Sequence, residues 1–207
     1  KEIIGDIIYH YPLSQAYEDK IFGEISFYPI KKDFNPAIHD LLIAKNVEKI
    51  FQEDRKAGLE HFLFVRTSTK VHAKELERLY KENTTLILRR IDSTKTYSYI
   101  KQSIKKLKSH ELDGIICVDM LGEGFDFPNL KIAAIHSPHK SLAVTLQFIG
   151  RFARTNTKNI KNAKFVAIAD EEFDIENNRL FAEDAIWKDI IIELSEGKIR
   201  IEDETKK

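Results

Sequence analysis

A single cysteine in 207 residues excludes an intrachain disulfide framework, so burial and hydrogen bonding must hold this chain together. Cys117 lies in the apolar run Ile115-Ile116-Cys117-Val118, where a thiol reads as buried and structural, and its use fits a reducing compartment, the cytoplasm. Excess charge is missing too: 33 Lys+Arg balance 33 Asp+Glu, so no global positive field advertises a polyanionic partner. No apolar stretch approaches the ~20 residues of a membrane-spanning helix. The opening Lys1-Glu2-Ile3-Ile4-Gly5-Asp6 also lacks the uncharged core of a signal peptide. None of the eight glycines opens a G-x-x-x-x-G-K-[ST] loop, so the chain has no phosphate-gripping turn of its own. Met120 is the only methionine, and the reading therefore expects residues upstream of Lys1.

What is present reads as a large α/β domain. Hydrophobic residues make up 43% and charged residues 32% of the chain, enough to build a core under a solvated surface. Short strands are predicted at 7–9 and 25–28, with one or two helical turns over 13–21 between them. Asn35 before Pro36 marks a helix start, and apolar positions at helical spacing continue to about residue 60. The continuous run Phe62-Leu63-Phe64-Val65 suits a strand buried on both faces. A helix over 70–81, a strand at 85–88, a basic helix over 95–109 and strands at 115–118 and 131–136 follow. A helix over 141–153, a strand at 164–169 and a mostly helical stretch over 172–196 complete the pattern. Strand and helix alternate, which argues for a parallel sheet with helices on both faces.

Two segments carry chemistry. Gly122-Glu123-Gly124-Phe125-Asp126 is an acidic, glycine-containing turn placed directly after a predicted strand. Gln147-Phe148-Ile149-Gly150-Arg151-Phe152-Ala153-Arg154 sets two arginines three apart on a predicted helix, which puts both guanidinium groups on one face. Arginine suits a terminal phosphate because it stays charged and offers a planar fork of donors. In order and spacing the two segments resemble motifs V (E-G-x-D) and VI (Q-x-x-G-R-x-x-R) of superfamily 2 DEAD/DEAH-type helicases, close to the restriction-enzyme motor branch. The likeness is to their C-terminal RecA-like lobe, the helicase C-terminal domain, and runs over roughly 62–170.

That resemblance implies a RecA-like lobe 2 of the P-loop NTPase type without the P-loop itself. Residues 1–34 would be a connector from a missing N-terminal lobe, 35–170 the lobe, and 171–207 a helical extension. ATP with Mg2+ would be bound mainly by the absent lobe of the same polypeptide, with no metal ligated here. Arg154 would be the arginine finger and Arg151 its companion. Asp126, Gly124, Glu123, Gln147 and Gly150 would shape the nucleotide contact. Arg66, Thr67 and Ser68, after the first central strand, and Asp119 would face nucleic acid, with DNA favoured over RNA. Hydroxyls and an arginine are suitable donors to phosphates, and such contacts carry no sequence information.

Blander readings stand beside these. Two arginines on a helix can be solvated, Asp126 can cap a turn, and a hydroxyl-rich loop can cap a helix. Arg89 and Arg90 beside Ser93 and Thr94 form a weaker phosphate-binding candidate, and the lysines over 101–108 read as a solvated helix face. His136 and His139 around Pro138 are expected to shape a loop, since no third ligand clusters near them. Asp170-Glu171-Glu172 reads as a strand end and cap. The function expected is that of the C-terminal motor lobe of an ATP-dependent helicase or translocase, inert alone. The alternative is a non-catalytic nucleic-acid-binding or scaffolding module on the same fold.

Overall fold

Asn35 caps as its position before Pro36 predicts: its side chain accepts from the Ala37 N–H at 3.1 Å and starts a 3-10 turn over Pro36–Ile38. The turn feeds directly into α1 (His39–Lys56), whose apolar stripe Ile43, Ala44, Val47, Ile50 and Phe51 is buried. The computed structural model describes residues 15, 18–20, 23–118, 127, 129–137, 162–169, 189–190 and 192–193. Within them the strands are β1 (Ile25–Ile30), β2 (Phe62–Thr67), β3 (Leu88–Ile91), β4 (Gly114–Val118), β5 (Leu130–Ile135) and β6 (Ala163–Ile168). The other helices are α2 (Lys70–Asn83) and α3 (Tyr97–Lys108). Thr69 and Thr96 cap these two, accepting from the backbone N–H groups of His72 and Tyr99.

All six strands form one parallel sheet in the order β1-β6-β5-β2-β4-β3. β2 is central and buried at every position, as its unbroken apolar run implies. Because side chains alternate across a strand, the sheet divides the core in two. Leu63, Val65, Ile116, Ile132, Ala134 and Val166 pack with α1 and α2 on one face. Phe62, Phe64, Ile115, Cys117, Ala133 and Phe165 pack with Leu107, Tyr99 and Ile100 of α3 on the other. Helices on both faces and a parallel sheet are the architecture expected. Cys117 is buried, and burial pushes its thiol well above the ordinary range, which keeps it inert. No helix among the described residues is long and apolar enough to cross a membrane.

Three details refine this picture. Residues 25–30, inside the segment read as a connector, form the edge strand and pair with β6 from Ile25↔Ala163 to Ile30↔Ile168. β3 begins at Leu88 rather than at residue 85, because side chains capture the backbone donors before it. Glu48 Oε1 accepts from the Thr85 N–H at 2.6 Å, and Asp113 Oδ2 from the Ile87 N–H at 2.8 Å, so pairing with Gly114 starts only at Leu88. Gly114 marks a close approach between strands: a Cβ there would lie 2.3 Å from the Leu63 carbonyl oxygen.

Candidate functional site

Parallel sheets bind ligands beyond the carboxyl ends of their strands. Here β2 leaves as Arg66-Thr67-Ser68 and β5 as His136-Ser137, side by side, with the His136 N–H donating to the Arg66 carbonyl at 3.0 Å. Arg66 and Thr67 are both buried, at 4% and 0% exposure, while Ser68 is exposed. Of the three described residues expected along a nucleic-acid track, only Ser68 presents its side chain openly. Arg66 follows Phe62 and Phe64 by strand alternation, so it belongs to the α3 side; Thr67 follows Leu63 and Val65 to the α1/α2 side.

Thr67 enters a hydrogen-bonded chain that sequence reasoning did not find. Its Oγ1 lies 2.7 Å from His72 Nδ1 and 3.4 Å from Ser137 Oγ. His72 Nε2 lies 2.7 Å from Asp40 Oδ2, and the other oxygen, Oδ1, lies 2.7 Å from His136 Nδ1. His136 Nε2 in turn meets the Tyr80 hydroxyl at 2.9 Å. One carboxylate from the first turn of α1 therefore joins two imidazoles, two strand ends and α2. The Asp40 side chain is 31% exposed and that of His72 25%, while that of His136 is 0%. The cluster is open at one side and sealed at the other.

The electrostatics follow this geometry. Burial alone would raise the Asp40 carboxyl, but hydrogen bonds from His136 and His72, with their charges, hold it well below the carboxylate range. The hydrogen bond to Asp40 raises His72 against the opposing pull of burial, with the charges of Asp40 and Glu75 helping. Burial lowers His136 despite Asp40. Burial, and then the Asp40 charge, raises Tyr80 well above its ordinary value, so it remains a phenol and donates. Asp40 ionised and His136 neutral is thus the working state. His136 was expected only to shape a loop; instead its ring is clamped between Asp40 and Tyr80. No sequence signal marks this set, since Asp40, His72 and His136 stand 32 and 96 positions from one another's partner atoms.

The weaker phosphate-loop candidate is occupied from within. Arg90 pairs with Asp92 and with Glu77, and Asp92, which also accepts from Thr94, is buried. Arg89 stacks on Tyr99 at 3.9 Å and donates to Gln102 at 3.1 Å. Among the lysines over 101–108, Lys101, Lys105 and Lys108 are exposed, as a solvated helix face requires. No group of three or more His, Cys, Asp or Glu among the described residues could hold a metal ion.

Asp119, Glu123, Gly124, Asp126, Gln147, Gly150, Arg151 and Arg154 lie outside the described residues. Their places in the chain are nevertheless defined by the strands around them. Residue 119 directly follows the carboxyl end of β4, and 147–154 fall between β5 and β6.

A family model for the helicase conserved C-terminal domain matches residues 41–156, more than half of the chain. No curated protein sequence matches it. Among solved structures, the yeast DEAD-box splicing factor Prp28 is similar at 14% identity and TM-score 0.56, covering 76% of this chain and 31% of that one. The E. coli DEAD-box protein SrmB, bound to regulator of ribonuclease activity A, is similar at 15% identity and TM-score 0.55, covering 79% and 88%. Domain 2 of the DEAD-box helicase Mss116p, bound to an RNA duplex, gives 19% identity and TM-score 0.49, covering 70% and 54%. The chain thus spans about half of the Mss116p chain and a third of the Prp28 chain. The family model together with the likenesses to Prp28 and SrmB shows the fold, a RecA-like helicase C-terminal lobe.

Proposed function

Because the chain belongs to the helicase conserved C-terminal domain family, we propose that it is the C-terminal motor lobe of an ATP-dependent helicase or translocase. The observation that carries this reading is topological. β2, β4 and β5 end at one edge of a parallel sheet, and from that edge depart Ser68, the acidic turn and the segment leading to the arginine pair. Residues that must meet nucleotide and nucleic acid together therefore start from a common line.

In this reading ATP, with Mg2+, supplies the phosphoryl group to be hydrolysed, and a partner lobe of the same polypeptide holds most of both. Arg154 is the finger on the terminal phosphate and Arg151 assists it. Asp126 accepts from ribose, Gly124 and Glu123 shape that turn, and Gln147 and Gly150 set the arginine helix against it. Ser68, Thr67, Arg66 and Asp119 belong to the nucleic-acid track. Residues 1–34 enter from the partner lobe while lending β1 to the sheet, and 171–207 extend the lobe. Backbone contacts of this kind do not distinguish DNA from RNA, so the proposed partner is a nucleic-acid strand of either type. The narrower likeness to restriction motors belongs to the proposal as well.

Arg154→Ala tests the assignment in the polypeptide that carries both lobes. Hydrolysis is expected to fall by about 10³–10⁵-fold, the range of an arginine finger, with nucleotide affinity nearly unchanged. Unaltered turnover would remove Arg154 from the reaction. Nucleic-acid binding that ignores ATP altogether would instead favour a binding or scaffolding module.

A further inference from the structure

We infer that Asp40 is a positioning residue that ties the carboxyl ends of β2 and β5 together through two imidazoles and sets the direction in which the Ser137 hydroxyl offers its proton. The inference deepens the proposed nucleic-acid track, on which it rests for its functional meaning.

Ionised Asp40 can only accept, so it takes Nδ1–H from His136 and Nε2–H from His72. With Nδ1–H used on Asp40, neutral His136 must accept at Nε2, and Tyr80 donates there at 2.9 Å. This arm has one arrangement and fixes the end of β5. The His72 arm has two. In neutral His72 the bare Nδ1 accepts from the Thr67 hydroxyl, and Thr67 Oγ1 can then accept from Ser137. The chain of donation runs inward, from Ser137 to Thr67 to His72. In protonated His72, Nδ1–H donates to Thr67 Oγ1 instead, so Thr67 turns its own proton toward Ser137. Ser137 then points its hydroxyl proton away from the cluster. A single proton on His72 reverses the relay and turns the half-buried Ser137 into an outward donor beside exposed Ser68.

An outward hydroxyl donor is what an anionic phosphate oxygen requires. The groups facing His72 are consistent with this use. Asp40 approaches from α1, Glu75 lies on its own helix, Thr67 comes from β2, and Ser137 and His136 come from β5, with the two imidazole rings 6.2 Å apart edge to face. Both carboxylates favour the protonated ring, and neutral His136 does not oppose it. Thr67 is fully buried and acts as the relay rather than the contact.

The test uses the full chain with isotope-labelled histidine and backbone, followed by NMR from about pH 5 to about pH 9. His72 is expected to titrate above the ordinary histidine value and His136 below it, with the Ser68 and Ser137 amides inflecting at the His72 midpoint. Asp40→Asn should move the His72 midpoint down, and His72→Gln should abolish the amide inflections while the rest of the spectrum stays folded. In parallel, anisotropy with a labelled 20-nucleotide single strand at fixed salt should show affinity falling about three- to tenfold from pH 6 to pH 9, a dependence lost in His72→Gln. Amides that ignore the His72 midpoint, or a midpoint indifferent to Asp40→Asn, overturn the inference. Co-titration without any oligonucleotide binding keeps the positioning role and removes the track. Binding whose pH profile is the same in wild type and His72→Gln, without co-titration, does the reverse.

Discussion

Each end of the sheet carries a carboxylate held between two basic groups, and the two clusters behave differently. At the amino end Asp54 of α1 accepts from His61 Nδ1 at 2.8 Å and pairs with Lys164 of β6. The Asp54, His61 and Lys164 side chains are 4%, 0% and 17% exposed. At the carboxyl end Asp40 of the same helix bonds His72 and His136 with its own side chain 31% exposed. The decisive difference lies in what each imidazole does with its second nitrogen. His61 Nε2 is buried and has no hydrogen-bond partner among the described residues, so the amino-end chain stops there. His72 and His136 both pass on to hydroxyls, and one of those chains reaches the surface. The same pair of residue types makes a sealed clamp in one place and a relay in the other, and helix α1 carries both.

Removing each carboxylate in turn should separate the two ends most clearly. Asp54→Ala strands a half-buried lysine and a fully buried histidine and should cost about 3–5 kcal/mol in urea unfolding. Asp40→Ala leaves His72 open to water and strands only the buried His136, and should cost about 1–3 kcal/mol. Equal losses would mean that the two ends are equally closed. Gly114→Ala sharpens the picture of a rigid amino end. The added methyl meets the Leu63 carbonyl, a backbone atom that cannot turn aside, and should cost about 1–3 kcal/mol, read as a lower unfolding midpoint. Thr69→Ala should cost the least, about 1 kcal/mol. It removes the cap at 3.1 Å on the His72 N–H and loosens the turn that aims the imidazole, so the pH profile of the carboxyl-end amides should blur alongside the small stability loss.

The pH dependence of stability distinguishes the members of the relay by sign. His72, raised in the fold, adds stability that is full below its ordinary 6.5 and is lost as pH rises through the raised value. His136, lowered, adds stability present above 6.5 and lost as pH falls. Asp40 adds stability present above its ordinary 3.8 and lost as pH falls through its lowered value. The two histidines therefore act on opposite sides of 6.5, His72 penalising a rise in pH and His136 a fall.

The fold was largely legible because its signals are local. Phe62-Leu63-Phe64-Val65 could only be a strand covered on both faces, and Asn35-Pro36 announced a helix start within one residue of where the 3-10 turn begins. The strand expected at 85–88 slid to Leu88–Ile91 because Glu48 and Asp113, far away in the chain, bind the intervening amides. The site was less legible for a related reason. Thr67 and Ser68 stand out through their place after a central strand, but nothing near Thr67 in sequence indicates that it would be buried. Asp40 reads locally as an acidic residue in a first helical turn, which needs no further explanation. Its two histidine partners come from other elements, brought to it by strand order.

That strand order also governs how the chain is made. Among the described residues β1 (Ile25–Ile30) has a single neighbour, β6 (Ala163–Ile168), which leaves the ribosome some 140 residues later. At about 5–20 residues per second, β1 waits roughly 7–28 s without a partner, while the strands between them can already assemble. Until then its backbone donors and acceptors form an open template for strand pairing, and docking of β6 closes that window.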